Sequence, residues 1–468
     1  MSTIDLLSLL LPYGDRTIRV KAKGSGYTDS DFSAPVTYHS APIVTKATGS
    51  TTAFVVSNLR AAATGYQIYL NGTLNTTIPY SGSDGGTLTV DLDALSDVPE
   101  GSVQVTVKGT GTGVEANESN AVKFWYGTAI PIYGVSGLYN STPALTRTDT
   151  AEGMSAVVNS STGAVSSDFD EVFPWSEATV EVINGNKFLH MPDMWFRIGK
   201  DSSNRITDVA VSQYEGTEGD WYKVDSFYYG CYGGSIANNK LCSVTGKARA
   251  NYYTRANFRT YAAANGSGYH QLDLYHHTVM KFLWLIEWAT KDSASVMPGK
   301  TSATGSTACN TGGTDSLTTP SGFNTSTQQM RWHYIEDFVG NYLEFVDGSV
   351  GNGTAGGAQY VTADPTKFSD STTGHNTLSF NSPSGSNYCL SALGWDSNNP
   401  FLVLPKETVG NTNYNTYFCD YAATSNNVVL YVGAYFNNAV ANSGVFYFSR
   451  SNASNSYNNV GARLLYKP

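Results

Sequence analysis

The sequence predicts a mainly β protein with a minor helical component, and three observations lead there. Only 14% of the 468 residues are charged, against 46 glycines and 31 tyrosines, which suits short strands and frequent turns rather than ion-paired helices. An alternating strand–turn–strand unit occurs twice in the first part of the chain. A single strongly helical stretch, Gln271–Met297, stands among strand-rich segments.

Taken in order, "VKAKGSGYTDSDFSAPVTYH" (Val20–His39) returns as "VTVKGTGTGVEANESNAVKFWY" (Val105–Tyr126). The second copy is preceded by "TAFVVSNL", "GYQIYLNGTLNTTI" and "GTLTVDLDAL", so residues 41–127 read as one complete β-sandwich. The first copy has only "IDLLSLLLPYGDRTIRV" before it. Residues 1–40 are therefore about half a module, cut from a longer protein or completed by a neighbour. Both units resemble the immunoglobulin-like or fibronectin-type modules of phage tail fibres and bacterial surface proteins, which serve mainly as spacers.

A larger α+β domain is expected over 128–468. Its first part is strand-rich, at "GVSGLYNSTPALTRTD", "SSDFDEVFPWSE" and "FLHMPDMWFRIGKD". Within the helical stretch, Leu274, Val279, Phe282, Leu283, Ile286 and Ala289 recur at helical spacing. A polar loop follows over Met297–Gly322, then a further element over Gln328–Gly348.

Three segments of this domain carry a specific resemblance. "YIEDFVGNYLEFVDG" (Tyr334–Gly348) is similar to the "GxEDxxGNxWEWVDG" segment of the formylglycine-generating-enzyme version of the C-type lectin fold. "FLVLPKETVG…TYFCDYA" (Phe401–Ala422) resembles the approach to that family's final hairpin. "VGAYFNNAVANSGVFYFSRSNASNSYNNVGARL" (Val432–Leu464) resembles the ending of variable proteins made by diversity-generating retroelements, in the version carried by phage tails. Here Phe436 replaces the family's usual Trp and Ala439 the usual Gly of its turn. The resemblance spans roughly Tyr133–Pro468.

In that family a reverse transcriptase rewrites the end of the gene at template adenines. Asparagine codons then become Tyr, Ser, Asp, Ala and several others, but never Lys, Glu, Gln, Met or Trp. Ser425–Arg463 contains none of those five. The resemblance implies a variable region over about 425–464, with exposed ligand-contacting positions at Tyr431, Tyr435, Asn437, Val440, Ala441, Tyr447, Ser449, Ser451, Asn452, Asn455 and Tyr457. Phe436, Val445, Phe446, Phe448, Val460 and Leu464 are expected inward, and Arg463 as a buried structural arginine. Tyr, Ser and Asn suit such a face, because Tyr gives large contacts with few rotors and the others adaptable hydrogen bonds.

The expected function is a phage-tail receptor-binding protein at the virion's fibre tip, whose partners are a host cell-surface protein or glycan and other tail proteins. A homotrimer is among the assemblies that reading allows. The alternatives are a bacterial cell-surface adhesin with the same diversified domain, or, as a weaker reading, a polysaccharide-degrading tail protein. No nucleic-acid partner is expected, since net charge is −10 and no Lys/Arg cluster appears. No membrane insertion is expected, since no segment approaches the ~20 apolar residues of a span. "MSTIDLLSLLLPYGDR" lacks a basic n-region and a cleavage site, so export by the usual signal is not expected.

No enzyme activity, catalytic residue, metal or cofactor is expected. Cys389 and Cys419 are isolated, unlike the close cysteine pair of the fold's oxidising enzymes, and no GxSxG elbow accompanies the histidines. Glu336 and Asp337 are adjacent and expected to point apart, as structural groups. "GWDSNNP" (Gly394–Pro400) has only a faint likeness to the calcium motif of ordinary lectins. His276 and His277 are expected to split between core and surface, and the five cysteines to be free, with a Cys231–Cys242 bridge the one pairing kept open.

Overall fold

A computed structural model describes residues 16–19, 33, 36–38, 41–48, 50–111, 118–297, 299–302, 307–354, 356–383, 388–410, 418, 421–422, 428–439 and 443–468. Val440, Ala441, Cys419 and most of the expected half-module lie outside the described residues. The chain divides into two compact units, Met1–Ile130 and Pro131–Pro468.

In the first unit, Ile43–Lys46, Ala53–Ser57 and Leu88–Asp91 form one antiparallel sheet. Gly65–Leu70, Thr73–Pro79, Gly101–Thr110 and Val122–Tyr126 form another. Strict alternation fixes which side faces inward: Val103, Val105 and Val107 are buried while Ser102 and Gln104 are exposed. Those valines share one core with Phe54, Val56, Tyr66, Ile68 and Phe124, which makes the two sheets a sandwich. Asn71 and Gly72, both at positive φ (50° and 79°), close the hairpin between Gly65–Leu70 and Thr73–Pro79.

The second unit is also mainly β. Thr146–Asp149, Tyr133–Ser136, Ile206–Ser212, Met194–Lys200 and Trp221–Val224 form a five-stranded sheet in that order. A second five-stranded sheet orders Thr179–Ile183, Asn186–Met191, Phe227–Gly233, Arg463–Tyr466 and Tyr269–Gln271, so a C-terminal strand sits inside it. The largest sheet has nine strands among the described residues. Its middle runs Leu343–Gly351, Val429–Val432, Phe448–Ser451.

Helix α2 (Leu274–Trp288) is the expected helix, trimmed at both ends. Asp273 caps it by accepting from His276 N, and Ala289 ends it in the left-handed conformation at φ 47°. Every residue of α2 except Tyr275 is buried, as a helix apolar on nearly all sides must be. His276 and His277 therefore do not split between core and surface. His276 Nδ1 meets Asp273, and His277 Nδ1 meets the Tyr229 hydroxyl at 3.1 Å. Burial, reinforced by Lys281 and Arg463, pushes the His277 pKa well down and keeps it neutral.

Helix α1 (Arg255–Ala263) has no counterpart in the sequence reading. Two of its inward groups are arginines, so hydropathy does not mark it. A reciprocal capping box between Thr254 and Asn257 starts it. Cys231, Cys242 and Cys309 are free thiols. The bridge kept open between Cys231 and Cys242 does not form, because Cys231 points into the main core while Cys242 lies on the separate Ser235–Cys242 hairpin.

Phe282 is fully buried at the centre of the main core. Phe282→Ala is expected to cost about 3–5 kcal/mol, measured by denaturant unfolding of the full chain.

Candidate binding face

The segment Tyr334–Gly348 supplies the frame for the C-terminal region, and its polar residues are all buried except Tyr334. Glu336 accepts from Gly312 N (2.8 Å), Thr314 N (2.9 Å) and Thr314 Oγ1 (2.8 Å). Asp337 Oδ2 accepts from Gln329 Nε2 (3.1 Å) and Asn341 Nδ2 (2.7 Å). Asn341 in turn clamps both polar backbone atoms of Cys309. Asp347 takes Arg259 of α1, and the neighbouring Arg255 donates to Val346 O and Ser349 O.

Glu344 is the centre of this frame. Its Oε1 accepts from Arg249 Nη2 (2.8 Å) and meets Arg463 Nη2 (2.9 Å), and its Oε2 accepts from Arg463 Nε (3.0 Å). Arg463, fully buried, also donates to the carbonyls of Gly230, Cys231, Glu336 and Asp337. It is a structural arginine, as its place in the closing strand suggested.

The expected inward positions Val445, Phe446, Phe448, Val460 and Leu464 are buried, and Phe436 is half-buried. Of the expected exposed positions, Asn437 and Asn452 are exposed, while Tyr431, Tyr435, Asn455 and Tyr457 are half-buried. Tyr447, Ser449 and Ser451 are buried, which corrects the expectation for those three. The reason is the sheet. Phe448–Ser451 pairs with Val429–Val432 on one side and with Ala422 on the other, so it is an interior strand rather than an outer hairpin.

Both faces of that strand are covered. Phe448 packs into the main core, with Lys281 of α2 over its ring at 3.9 Å. Tyr447, Val429 and half-buried Tyr431 belong to a second core that also holds Phe258 of α1 and Phe345. On that side the hydroxyls bond one another: Ser449 Oγ donates to Tyr431 Oη (3.0 Å), and Ser451 Oγ pairs with Tyr457 Oη (2.7 Å). Asn455 Nδ2 donates to Tyr457 Oη as well (2.7 Å).

Among the described residues of this region, what remains for a ligand is loop rather than strand: the turn over 435–438 and the loop over 452–459. Residues that sequence reasoning missed join the two. Asn251 Nδ2 donates to Asn458 O (2.9 Å) and reaches Tyr342 Oη (3.4 Å). Tyr342 meets Phe436 edge-on at 5.9 Å, and Phe436 meets Tyr435 at 5.7 Å. Tyr252 N donates to Tyr457 O (2.8 Å). Asn251 and Tyr252 carried as signal the "NYYT" cluster over 251–254, far away in sequence, whereas Tyr342 lies within the Tyr334–Gly348 segment.

The described residues of 428–439 and 443–459 hold one charged side chain, Arg450, and it is buried. The resulting surface is uncharged, aromatic and amide-rich. Elsewhere, Asp170, Glu287 and His333 bring ligand-type atoms within 4.8 Å of one another. Glu287 there already accepts from Ser167 (2.9 Å), Trp332 (2.6 Å) and His333 (2.9 Å), so its oxygens serve to bracket α2. Asp396 of the "GWDSNNP" stretch is likewise engaged, by Ser379 N, Asn398 N and Asn399 Nδ2.

Arg463→Ala is expected to cost about 3–5 kcal/mol, because Glu344 stays buried with one partner fewer; Asn437→Ala and Asn452→Ala are expected within about 0.5 kcal/mol of the parent. Chemical denaturation of the three variants checks the contrast. Burial, then repulsion from Glu336, raises the Asp337 pKa against the opposing pull of Arg249. The proton is held in the fold and lost on unfolding, so Asp337 favours folding below the ordinary carboxylate pKa and the benefit fades as pH rises. Asp337→Asn stays neutral and suits the local φ of 52°. Its melting temperature is expected to pull ahead of the parent's by several degrees as pH climbs from about 4 toward neutrality, followed by thermal melts across that range. No protein-family model matches this chain, and no curated protein matches it.

Proposed function

We propose that this chain is a hypervariable receptor-binding protein of a phage tail, which recognises host-surface ligands through its C-terminal face. The observation that carries the reading is the placement of exposed Asn437 and Asn452 and half-buried Tyr435, Asn455 and Tyr457 in loops braced by buried structure. The resemblance of Val432–Leu464 to retroelement-diversified endings supplies the tail setting. A rigid support under a tolerant surface is what changeable recognition needs.

The mechanism is recognition without chemistry. A specific interface of ordinary size covers ~800 Å² per partner. An uncharged Tyr/Asn face gives moderate affinity per copy, and several copies on one virion add avidity. The sandwich of the first unit acts as a spacer.

Sequencing this gene's final segment across sibling genomes tests the reading. Substitutions are expected to concentrate at Tyr435, Asn437, Asn452, Asn455 and Tyr457 at template adenines. Buried Ser449 and Ser451 are expected to keep small side chains, and Phe446, Gly461 and Arg463 to stay fixed. An invariant segment with no adenine-marked near-copy nearby would sink the proposal.

A further inference from the structure

Tyr252 lies outside the C-terminal segment, yet it sits on the same face. It is 66% exposed, the most exposed aromatic side chain among the described residues. Its backbone holds φ 59°, a left-handed conformation uncommon for a bulky residue and costing on the order of 1–3 kcal/mol. The fold holds that conformation through Tyr252 N to Tyr457 O (2.8 Å) and Asn251 Nδ2 to Asn458 O (2.9 Å). The result is a phenol ring standing in water beside the loop that carries Tyr457 and Asn458.

The chemistry around that ring is narrow. Asn458 on the adjoining loop is an exposed amide, as is Asn437, next to Phe436 on the turn that Asn251 reaches through Tyr342, and an amide offers two donors and an acceptor at fixed spacing. The described loops contribute no exposed Arg, Met or Leu, the anchors that enrich the centre of a protein–protein interface. They contribute no exposed charge to meet an anionic or cationic ligand either. A pyranose ring presents the complement: a patch of C–H groups that stacks on an aromatic face, with hydroxyl pairs at its rim that match amides.

We propose that Tyr252 is the fixed stacking platform of a site for uncharged glycans, with Asn437, Tyr457 and Asn458 completing it from the C-terminal loops. The inference rests on the receptor-binding reading and names the ligand class of that same face. The C-terminal loops select among sugars, and Tyr252 supplies the sugar-binding surface they share.

The test uses the full chain on immobilised neutral hexose and N-acetylhexosamine oligosaccharides, beside sialylated and sulfated ones, and on intact host cells. Tyr252→Asn removes the ring and is at ease in the left-handed region, so it does not confound binding with misfolding. Tyr252→Phe keeps the ring. The parent and Tyr252→Phe are expected to bind a neutral oligosaccharide within about threefold of each other, and Tyr252→Asn at least about tenfold more weakly. Periodate treatment of the cells is expected to abolish binding, and protease treatment to leave it.

Preference for the charged sugars, equal binding by Tyr252→Asn, or protease-sensitive and periodate-resistant cell binding would each overturn the glycan assignment. In those cases loss of cell binding by Asn437→Ala or Asn452→Ala still upholds the receptor-binding reading. If the parent binds neither cells nor sugars, both proposals fall.

Discussion

Glu344 lies between two buried guanidinium groups, those of Arg249 and Arg463, and the C-terminal part of the fold is organised around it. A buried carboxylate alone is costly, and pairing it returns little net stability over an apolar replacement. What the arrangement gives is register. Arg463 can satisfy its donors only where Glu344, the Gly230–Cys231 carbonyls and the Glu336–Asp337 carbonyls converge. That single point fixes the Arg463–Tyr466 strand between Phe227–Gly233 and Tyr269–Gln271. It also fixes Val460–Gly461 against Leu343–Gly351.

The same logic extends along Tyr334–Gly348. Each of Glu336, Asp337, Asn341, Glu344 and Asp347 reaches a different piece of chain: the 312–314 turn, Gln329, Cys309, the C-terminal arginine and α1. One short segment therefore gathers five others, by hydrogen bonds whose geometry tolerates little error. Loops mounted on such a frame can change without moving it.

Legibility in the sequence followed the kind of force involved. Where burial of apolar side chains decides, the pattern was readable: the alternating valines of Gly101–Thr110 and the apolar α2 both emerged from periodicity. Where buried polar contacts decide, it was not. Helix α1 escaped because Arg255 and Arg259 look solvent-facing until Asp347 and Asp370 are placed opposite them. The outward reading of Tyr447, Ser449 and Ser451 failed for a related reason. Small hydroxyls and a tyrosine look exposed, but an interior strand between two cores can bury them once Tyr431 and Tyr457 take their hydrogen bonds. Tyr252 showed only as part of the "NYYT" cluster, since its left-handed backbone leaves no mark in composition or spacing.

The position of Arg463 downstream of the polar loops has a genetic side. A frameshift or stop arising anywhere between Val428 and Val460 replaces or removes Arg463 and Leu464. Glu344 then loses the partner that contacts both its oxygens, and the second five-stranded sheet loses an interior strand. Such a product cannot complete its core, and unfolded chains are cleared or aggregate. Single-letter exchanges in the loops pass, while errors of reading frame erase themselves. Under the proposed diversification, the closing strand acts as a checksum on the segment just before it.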